Sequence, residues 1–514
     1  MGDAADRSAP RRWRTLAGVL VILLGARTFY LFVGHLGGEP LRPRVEVAAI
    51  WLVLAGVLLV LSRGREVGPQ PSDVRPSGVL PQTAVWLLFL LASLALYWPT
   101  ISVGLLSDDF VLWDRASAWD FTPVSSVLFR PVPLLVWAVL IHAGASGLAL
   151  HALNIFFHGT NAYLATRLCS GWIGPGTASV LAGVLMLVFP LASEPVSWLS
   201  GVFDLSMTAL TLAFVLRGRA YSGSVSLPQR ATFVALGVLA MAAKETGVMA
   251  TLLVLADAWV RRSRPKHLLI DTAVVLALAA SFAAVRLLGA FGLTSPNLTR
   301  YRIQRSVFET FGGLAVPFHA DVVQQFPWLV ILGVLMVIAL FVTYFLAAGR
   351  RSDRFVFGGG AWILISVLPV FGFVFVGSDL QGARFLYLAA PAWCSLITAL
   401  ADSVSRVAGR WVLLAVLGLV AVWAVAARAH MAPWKEASIE RDRILSAVKA
   451  SDVLRECQTV MVKLTDNVRG AYVFRNGARD ALRREAGLHV GDEARPECRF
   501  TWDERTGTFS RAPE

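Results

Sequence analysis

Apolar positions in this chain come in long blocks. A helix rises 1.5 Å per residue, so about 20 apolar residues cross a bilayer core. Thirteen candidate runs recur along the sequence: 13–32, 45–61, 83–101, 148–168, 178–189, 202–216, 231–243, 247–260, 268–290, 328–348, 355–376, 385–400 and 411–427. The runs at 178–189 and 231–243 are short, which leaves the count open by one or two. The pattern predicts an all-α polytopic membrane bundle of about 13 transmembrane helices. Polar breaks divide it. Residues 62–82, rich in Pro, Gly and Ser, read as a linker behind two N-terminal helices. Residues 102–147 are too long for a turn, and their apolar middle, Pro131–His142, is predicted to lie along the outer interface as an amphipathic helix. Residues 190–200 read as a short outer loop, and 292–327 as a long one.

Past residue 427 the pattern changes. Residues 428–514 hold 16 Lys/Arg against 14 Asp/Glu and mix helical with alternating stretches. A helix is predicted over 434–454 and another over Ala478–Ala486. Strands are predicted over 459–464, 499–502 and 508–510, the last two joined by a turn at Thr506-Gly507. Three units follow: 1–82, an N-terminal two-helix extension with its linker; 83–427, the main membrane domain; and 428–514, a small α/β domain.

Composition supports this division and charge orients it. The 514 residues are 56% hydrophobic and 16% charged. If the N-terminus is cytoplasmic, the inner segments hold Arg7, Arg11, Arg12 and Arg14, then Arg63, Arg65 and Arg75, then Arg217, Arg219 and Arg230. Arg261, Arg262, Arg264, Lys266, Arg350, Arg351 and Arg354 follow on the same side, while 190–200 carry none. This is the positive-inside pattern. The net charge of +13 therefore speaks for membrane topology, and no basic stripe with interleaved aromatics points to nucleic acid. Arg300, Arg302 and Arg305 in an outer segment break the rule, and Asn297-Leu298-Thr299 matches a glycosylation sequon. The first run, with no cleavage site behind it, reads as a retained anchor. Residues 102–147 and the C-terminus fall outside, where Cys457 and Cys498 have the chance to form a disulfide.

Against this background Asp108-Asp109 stands out. Two adjacent carboxylates at the mouth of a membrane helix are costly unless they meet water or a partner, and such acids mark functional sites. Their alternative role is to cap the following helix; Asp114 and Asp120 lie further along the same segment. Other polar groups gather near outer helix ends. His151, Asn154, His158 and Asn161 share one helix face, either lining a cavity, holding a metal through His151 and His158, or bonding neighbouring helices. Glu194, Asp204, Lys244, Glu245, Arg384 and Tyr387 follow. Lys244, Arg384 and Arg130 suit phosphate recognition, or else pair and snorkel.

Taken in order, the pieces resemble a family. Asp108-Asp109 is followed by Phe129-Arg130-Pro131-Val132 and by His151-Ala152-Leu153-Asn154-Ile155-Phe156-Phe157-His158. Then come Phe189-Pro190, Glu194-Pro195-Val196-Ser197-Trp198, Ser200-Gly201, Asp204-Leu205, Lys244-Glu245-Thr246 and Arg384-Phe385-Leu386-Tyr387-Leu388. This resembles the multi-spanning glycosyltransferases of the GT-C type, nearest the protein O-mannosyltransferases and the TPR-containing mannosyltransferases, over about residues 84–400. The chain departs from the TPR branch in lacking TPR repeats, in its two extra N-terminal helices, and in Phe-Pro at 189–190 where His-Pro is usual. The resemblance implies a sugar moved from a polyprenyl-phosphate donor to a hydroxyl of a protein, lipid or glycan acceptor on the outer face, with inversion. It implies Asp108 or Asp109 as general base and Arg130, Lys244 and Arg384 around the leaving phosphate, with His151 and His158 near the donor. The chemistry requires no cofactor; some relatives use a divalent cation, which leaves one open.

Two other classes fit parts of the pattern: a transporter or flippase for a lipid-linked glycan, and a non-catalytic membrane assembly protein. A transporter is expected to place polar groups at mid-membrane in inverted repeats; here they sit at outer ends and no repeat is visible. The expected setting is a bacterial inner membrane with the site in the periplasm. A reporter fused after residue 514 is expected to read as periplasmic, and a cytoplasmic signal overturns the orientation.

Overall fold

A computed structural model describes residues 82–122, 129–221, 225–263, 266–287, 312–347, 353–368, 376–409, 411–451, 454, 460–488 and 498–511. The two N-terminal runs, their linker, the sequon at 297–299 and Cys457 lie outside the described residues.

Each apolar run within the described part folds as helix. In chain order these are α1 (Gln82–Tyr97), α2 (Asp108–Ser117), α3 (Pro131–His142), α4 (Gly147–Ile173), α5 (Thr177–Leu187), α6 (Ser193–Ser197), α7 (Val202–Gly218), α8 (Leu227–Ala243), α9 (Ala250–Val260) and α10 (Lys266–Leu287). After them come α11 (Ala320–Gln325), α12 (Pro327–Ala347), α13 (Asp353–Val367), α14 (Ala390–Ala408), α15 (Trp411–Ala429), α16 (Ala432–Ala450) and α17 (Ala478–Ala486). Thirteen full spans are not shown among the described residues. Among the described residues three are long and apolar enough to cross a membrane: Gln82–Ser102, Leu199–Gly218 and Leu414–Ala450. A fourth is reached if the bent pair Thr177–Leu187 and Pro190–Ser197 counts as one. Length explains much of the difference, since α5 and α9 have 11 residues and α8 has 17.

The segment 190–200 departs from the expected loop. Pro190 cannot extend α5, because it lacks an N–H and its ring crowds the preceding turn. The chain bends by 44° and continues as short helical turns whose residues are all buried. Gly201 closes this piece. A Cβ there would run into the backbone of Pro195, so no larger residue fits. Pro131–His142 forms with the expected bounds but is not amphipathic. It is apolar on both faces: Leu134, Trp137 and Ala138 are buried and Leu135 and Val139 exposed.

The C-terminal unit follows its sequence pattern closely. Strands β1 (Val460–Lys463), β4 (Cys498–Asp503) and β5 (Thr508–Arg511) form one sheet, with β1 parallel and β5 antiparallel to the central β4. A hairpin of β2 (Asn467–Val468) and β3 (Ala471–Tyr472) was not expected. Two-residue strands carry too little alternation to show in sequence. Cys498 is disulfide-bonded, while Cys169 and Cys394 are free.

This unit is not a separate appendage. One apolar cluster joins Val103, Leu106, Phe110 and Trp198 of the membrane part to Trp434, Tyr472, Val473, Phe474 and Leu482 of the tail. Val473 C=O accepts from Ser107 N–H at 2.8 Å, and Phe474 stacks on Phe110 at 6.2 Å. Arg483 reaches Asp114 at 2.8 Å. Gly477 (φ +73°) sits against the Ser107 carbonyl, where a Cβ has no room. Left-handed backbone costs a residue with a Cβ about 1–2 kcal/mol even without a clash. Gly477→Ala is therefore expected to loosen the C-terminal unit by at least that amount, read as faster limited proteolysis of residues 460–511 while the membrane helices stay intact.

Candidate functional site

The segment that follows α1 places the two acids differently. Ser107 (φ +49°) turns the chain, and Asp108 and Asp109 begin α2. Asp109 points inward and is fully buried. Its Oδ2 accepts from Leu106 N–H at 2.9 Å, and its Oδ1 accepts from Ser200 N–H at 2.8 Å and from the Ser200 hydroxyl. The carboxylate thus ties this segment to the turn that precedes α7. Burial pushes its pKa up to about 7, against the hydrogen bonds from Ser200 and Leu106 that favour the anion. Asp108, one residue back, is half-buried. It faces a cavity of about 330 Å³, and Asp109 does not line it. The helix-capping role weighed for the pair is not what the geometry gives: neither side chain caps α2 from its N-cap position, which Ser107 holds.

The cavity draws on distant parts of the chain. Its polar lining includes Asp108, Arg115, Arg130, Ser200, Asp204, Arg384 and Asn476, and its apolar lining includes Leu112, Phe121, Trp198 and Phe203. Four ion pairs stand around it among the described residues, one of them Arg115 with Asp120. Arg130 Nε lies 3.0 Å from Glu245 Oε2, and Glu245 also accepts from Phe129 N–H at 3.1 Å. Lys244 Nζ pairs with Asp204, and Arg384 with Glu194. The backbone explains how adjacent Lys244 and Glu245 serve different partners. Helix α8 ends at Lys244 in an extended conformation (φ −159°, ψ 148°), and a 3-10 turn begins at Glu245.

Pairing does not exhaust the arginines. Arg130 bonds through Nε alone, and its two Nη groups have no partner among the described residues. Arg384 uses its backbone N–H on Glu194 Oε2 at 2.9 Å and Nη1 on Glu194 Oε1 and Tyr472 Oη. Its Nε and Nη2 have no partner among the described residues. The Arg384 guanidinium lies 4.6 Å from the ring centres of both Trp198 and Phe385; Lys244 Nζ lies 4.7 Å from the Phe385 ring. Aromatic faces favour cations at such distances. Asp108, by contrast, has no ion-pair or hydrogen-bond partner among the described residues.

The polar stripe on α4 sits elsewhere. His151, Asn154, His158 and Asn161 are wholly buried and are not among the cavity-lining residues. His151 Nε2 meets the Val103 carbonyl. Asn154 donates to Trp198 C=O at 2.8 Å. His158 reaches Leu187 C=O at 3.0 Å and Tyr387 Oη at 2.7 Å. Asn161 donates to Leu205 C=O at 2.9 Å and to Tyr387 Oη at 3.3 Å. Asn154 and His158 serve carbonyls of the broken segment around 187–199, while His151 and Asn161 serve those of Val103 and Leu205, so the interhelical role is the one these contacts fill. His151 and His158 share no ligand set: among the described residues no group of three or more His, Cys, Asp or Glu is placed to hold a metal ion.

Comparison with known proteins adds little. No family model and no curated protein matches the chain. Two solved structures of an oligosaccharyltransferase from Archaeoglobus fulgidus superpose on it. One is tethered by a disulfide to an acceptor peptide containing the NVT sequon, and the other is the apo form. Identities are 13% and 14% and TM-scores 0.43 and 0.42, covering 73% and 72% of this chain. The chain spans 58% of the length of each of those proteins. A likeness of this order leaves the function to be read from the chain's own residues.

Sequence reasoning missed four residues at this site. Ser200 holds Asp109, Arg115 lines the cavity while bonding Asp120 at 3.1 Å, and Tyr472 with Asn476 brings the C-terminal unit to the cavity wall. Ser200 lay within the quoted motifs, next to the Trp198 that packs on Arg384, which was its only signal. The other three had none.

Because Asp109 has a folded pKa near 7 against an ordinary 3.8, the sign of its linkage is fixed. Its stability contribution is fully present below pH 3.8 and is lost as pH rises through about 7. Thermal unfolding of the wild type is expected to show this decline. Asp109→Asn is expected to remove it while costing about 1–3 kcal/mol, because one amide cannot accept from both Leu106 and Ser200. A variant that keeps the same pH slope overturns the assignment.

Proposed function

We propose that the chain is a membrane glycosyltransferase of GT-C type, taking a sugar from a polyprenyl-phosphate carrier to an acceptor hydroxyl at the outer face. Asp108 carries the reading: among the described residues it is an acid on the cavity wall with no cation to neutralise it. A carboxylate left open in a cavity that also exposes arginine N–H groups suits both halves of one displacement. Asp108 takes the proton from the acceptor hydroxyl. The acceptor oxygen forms its bond to the anomeric carbon as the bond from that carbon to the phosphate oxygen breaks. The phosphate leaves with the electron pair, and attack from the opposite face inverts the centre.

The chain's cations answer the leaving group. Charge develops on phosphate oxygen in the transition state, and preorganised donors in a water-poor site stabilise it most. Arg130 and Arg384 keep donors free for this purpose, already oriented by Glu245 and Glu194. Lys244, buried against Asp204, acts at longer range by fixing the charge balance beside them. Apolar Leu112, Phe121 and Phe203 exclude water from the reacting centre. Asp109 is read as the residue that aims Asp108, not as the base. The motif series from Asp108 to Leu388 supports the family assignment, and the sites of the apolar helices support membrane insertion. The acceptor is a protein, lipid or glycan hydroxyl; the setting is the periplasmic face of a bacterial inner membrane.

Cells lacking the gene are expected to lose one glycan product and to accumulate the matching lipid-linked sugar, measured by mass spectrometry. Complementation with Asp108→Asn at normal protein level is expected to lower the transfer rate by about 10²- to 10⁴-fold. Full activity of Asp108→Asn sinks the base assignment, and an unchanged glycan profile on deletion sinks the transferase reading.

A further inference from the structure

The C-terminal unit brings Asn476 to the cavity wall and Tyr472 to the side chain of Arg384. Tyr472, on β3, places its Oη 2.9 Å from Arg384 Nη1 and 3.4 Å from Glu194 Oε1. Its ring lies 5.4 Å from the guanidinium carbon and 4.8 Å from the ring of Trp198. Burial raises the Tyr472 pKa well above the usual phenol value, so the hydroxyl stays protonated, accepting from Arg384 while donating to Glu194.

The pattern of bonds explains what this hydroxyl does. A free carboxylate and a guanidinium prefer a two-pronged fork, which occupies one whole edge of the arginine. Here Glu194 spends Oε2 on the Arg384 backbone N–H, leaving Oε1 for Nη1. Tyr472 takes the second hydrogen of Nη1. That nitrogen is saturated, the guanidinium plane is fixed, and its Nε and Nη2 edge stays unpaired among the described residues. This edge is the geometry that a phosphate oxygen pair takes up.

We propose that Tyr472 is a positioning residue for Arg384, so that the C-terminal unit sets the affinity of the site for a lipid phosphate. The inference deepens the transferase reading and rests on its assignment of Arg384 to the phosphate. It also gives the docking of the C-terminal unit a purpose: the hairpin that bears Tyr472 is held by Ser107 and Phe110, next to Asp108. The same segment thus ties the base and the phosphate cation together.

The test is the affinity of the full-length chain for undecaprenyl phosphate in detergent micelles, with Tyr472→Phe, Arg384→Ala, the double variant and Asp108→Asn beside the wild type. Tyr472→Phe keeps the aromatic wall and removes only the hydroxyl. It is expected to weaken binding by about tenfold, the usual scale for losing a hydrogen bond to a charged group. The double variant is expected to bind no more weakly than Arg384→Ala alone, since the phenol acts through the arginine. Tyr472→Phe binding like wild type, or losses that multiply in the double variant, overturn the proposal while leaving the transferase reading in place. If Arg384→Ala binds like wild type, the phosphate assignment itself fails. Asp108→Asn removes a negative charge from the same cavity and is expected to bind the phosphate at least as tightly as wild type, which separates loss of the base from loss of the phosphate site. Should Tyr472→Phe fail to accumulate, Tyr472→Trp, which also lacks the hydroxyl, is judged by the same two criteria.

Discussion

Charge beside hydrocarbon calls for pairing, and this constraint organises the surroundings of the cavity. A buried ion left without a partner costs several kcal/mol, far more than a surface pair contributes. Lys244 with Asp204, Arg384 with Glu194, and Arg130 with Glu245 meet the requirement from six separate positions. Each pair links elements far apart in sequence, so the same bonds that make the charges tolerable also hold the helices in register. What is left over after pairing is then informative. Asp108 has no cation, and the two arginines keep donors that no carboxylate uses.

Asp109 shows how one position along the chain separates structure from chemistry. Adjacent residues on a helix point about 100° apart. One carboxylate therefore turns into the protein, where Leu106 and Ser200 receive it, and the other turns to the cavity. The inward acid fixes the first turn of α2 and with it the direction of the outward acid. One acid is buried and bonded and the other lies on the cavity wall, a difference that the pair's adjacency alone does not reveal.

The broken segment 190–201 supplies the rest of the geometry. Pro190 ends the α5 direction, and Gly201 admits a close approach to Pro195. The bend opens backbone carbonyls inside the bundle, and the α4 stripe closes several of them: Asn154 at Trp198 and His158 at Leu187. This is why histidines and asparagines on an apolar helix end up bonded within the bundle. Their spacing was visible, yet a stripe that lines a cavity and a stripe that binds a bent neighbour look alike until the neighbour's carbonyls are placed.

Helix positions, the tail's α/β character and the charged motif residues were legible from sequence, because periodicity and hydropathy are local properties. Ala478–Ala486 and the strand pair around Thr506-Gly507 form where alternation and turn residues put them. The number of spanning helices was not, since runs such as 178–189 and 231–243 fold as helices of only 11 and 17 residues, shorter than a bilayer core requires. The tertiary structure alone decided which acid faces the cavity, which cations keep free donors, and that Tyr472 reaches Arg384. The physical reason is that pairing and burial depend on distances between residues remote in sequence: Tyr472 meets Glu194 across 278 positions. Composition fixed where charges were permitted, and only the packed chain fixed which of them remained free to act.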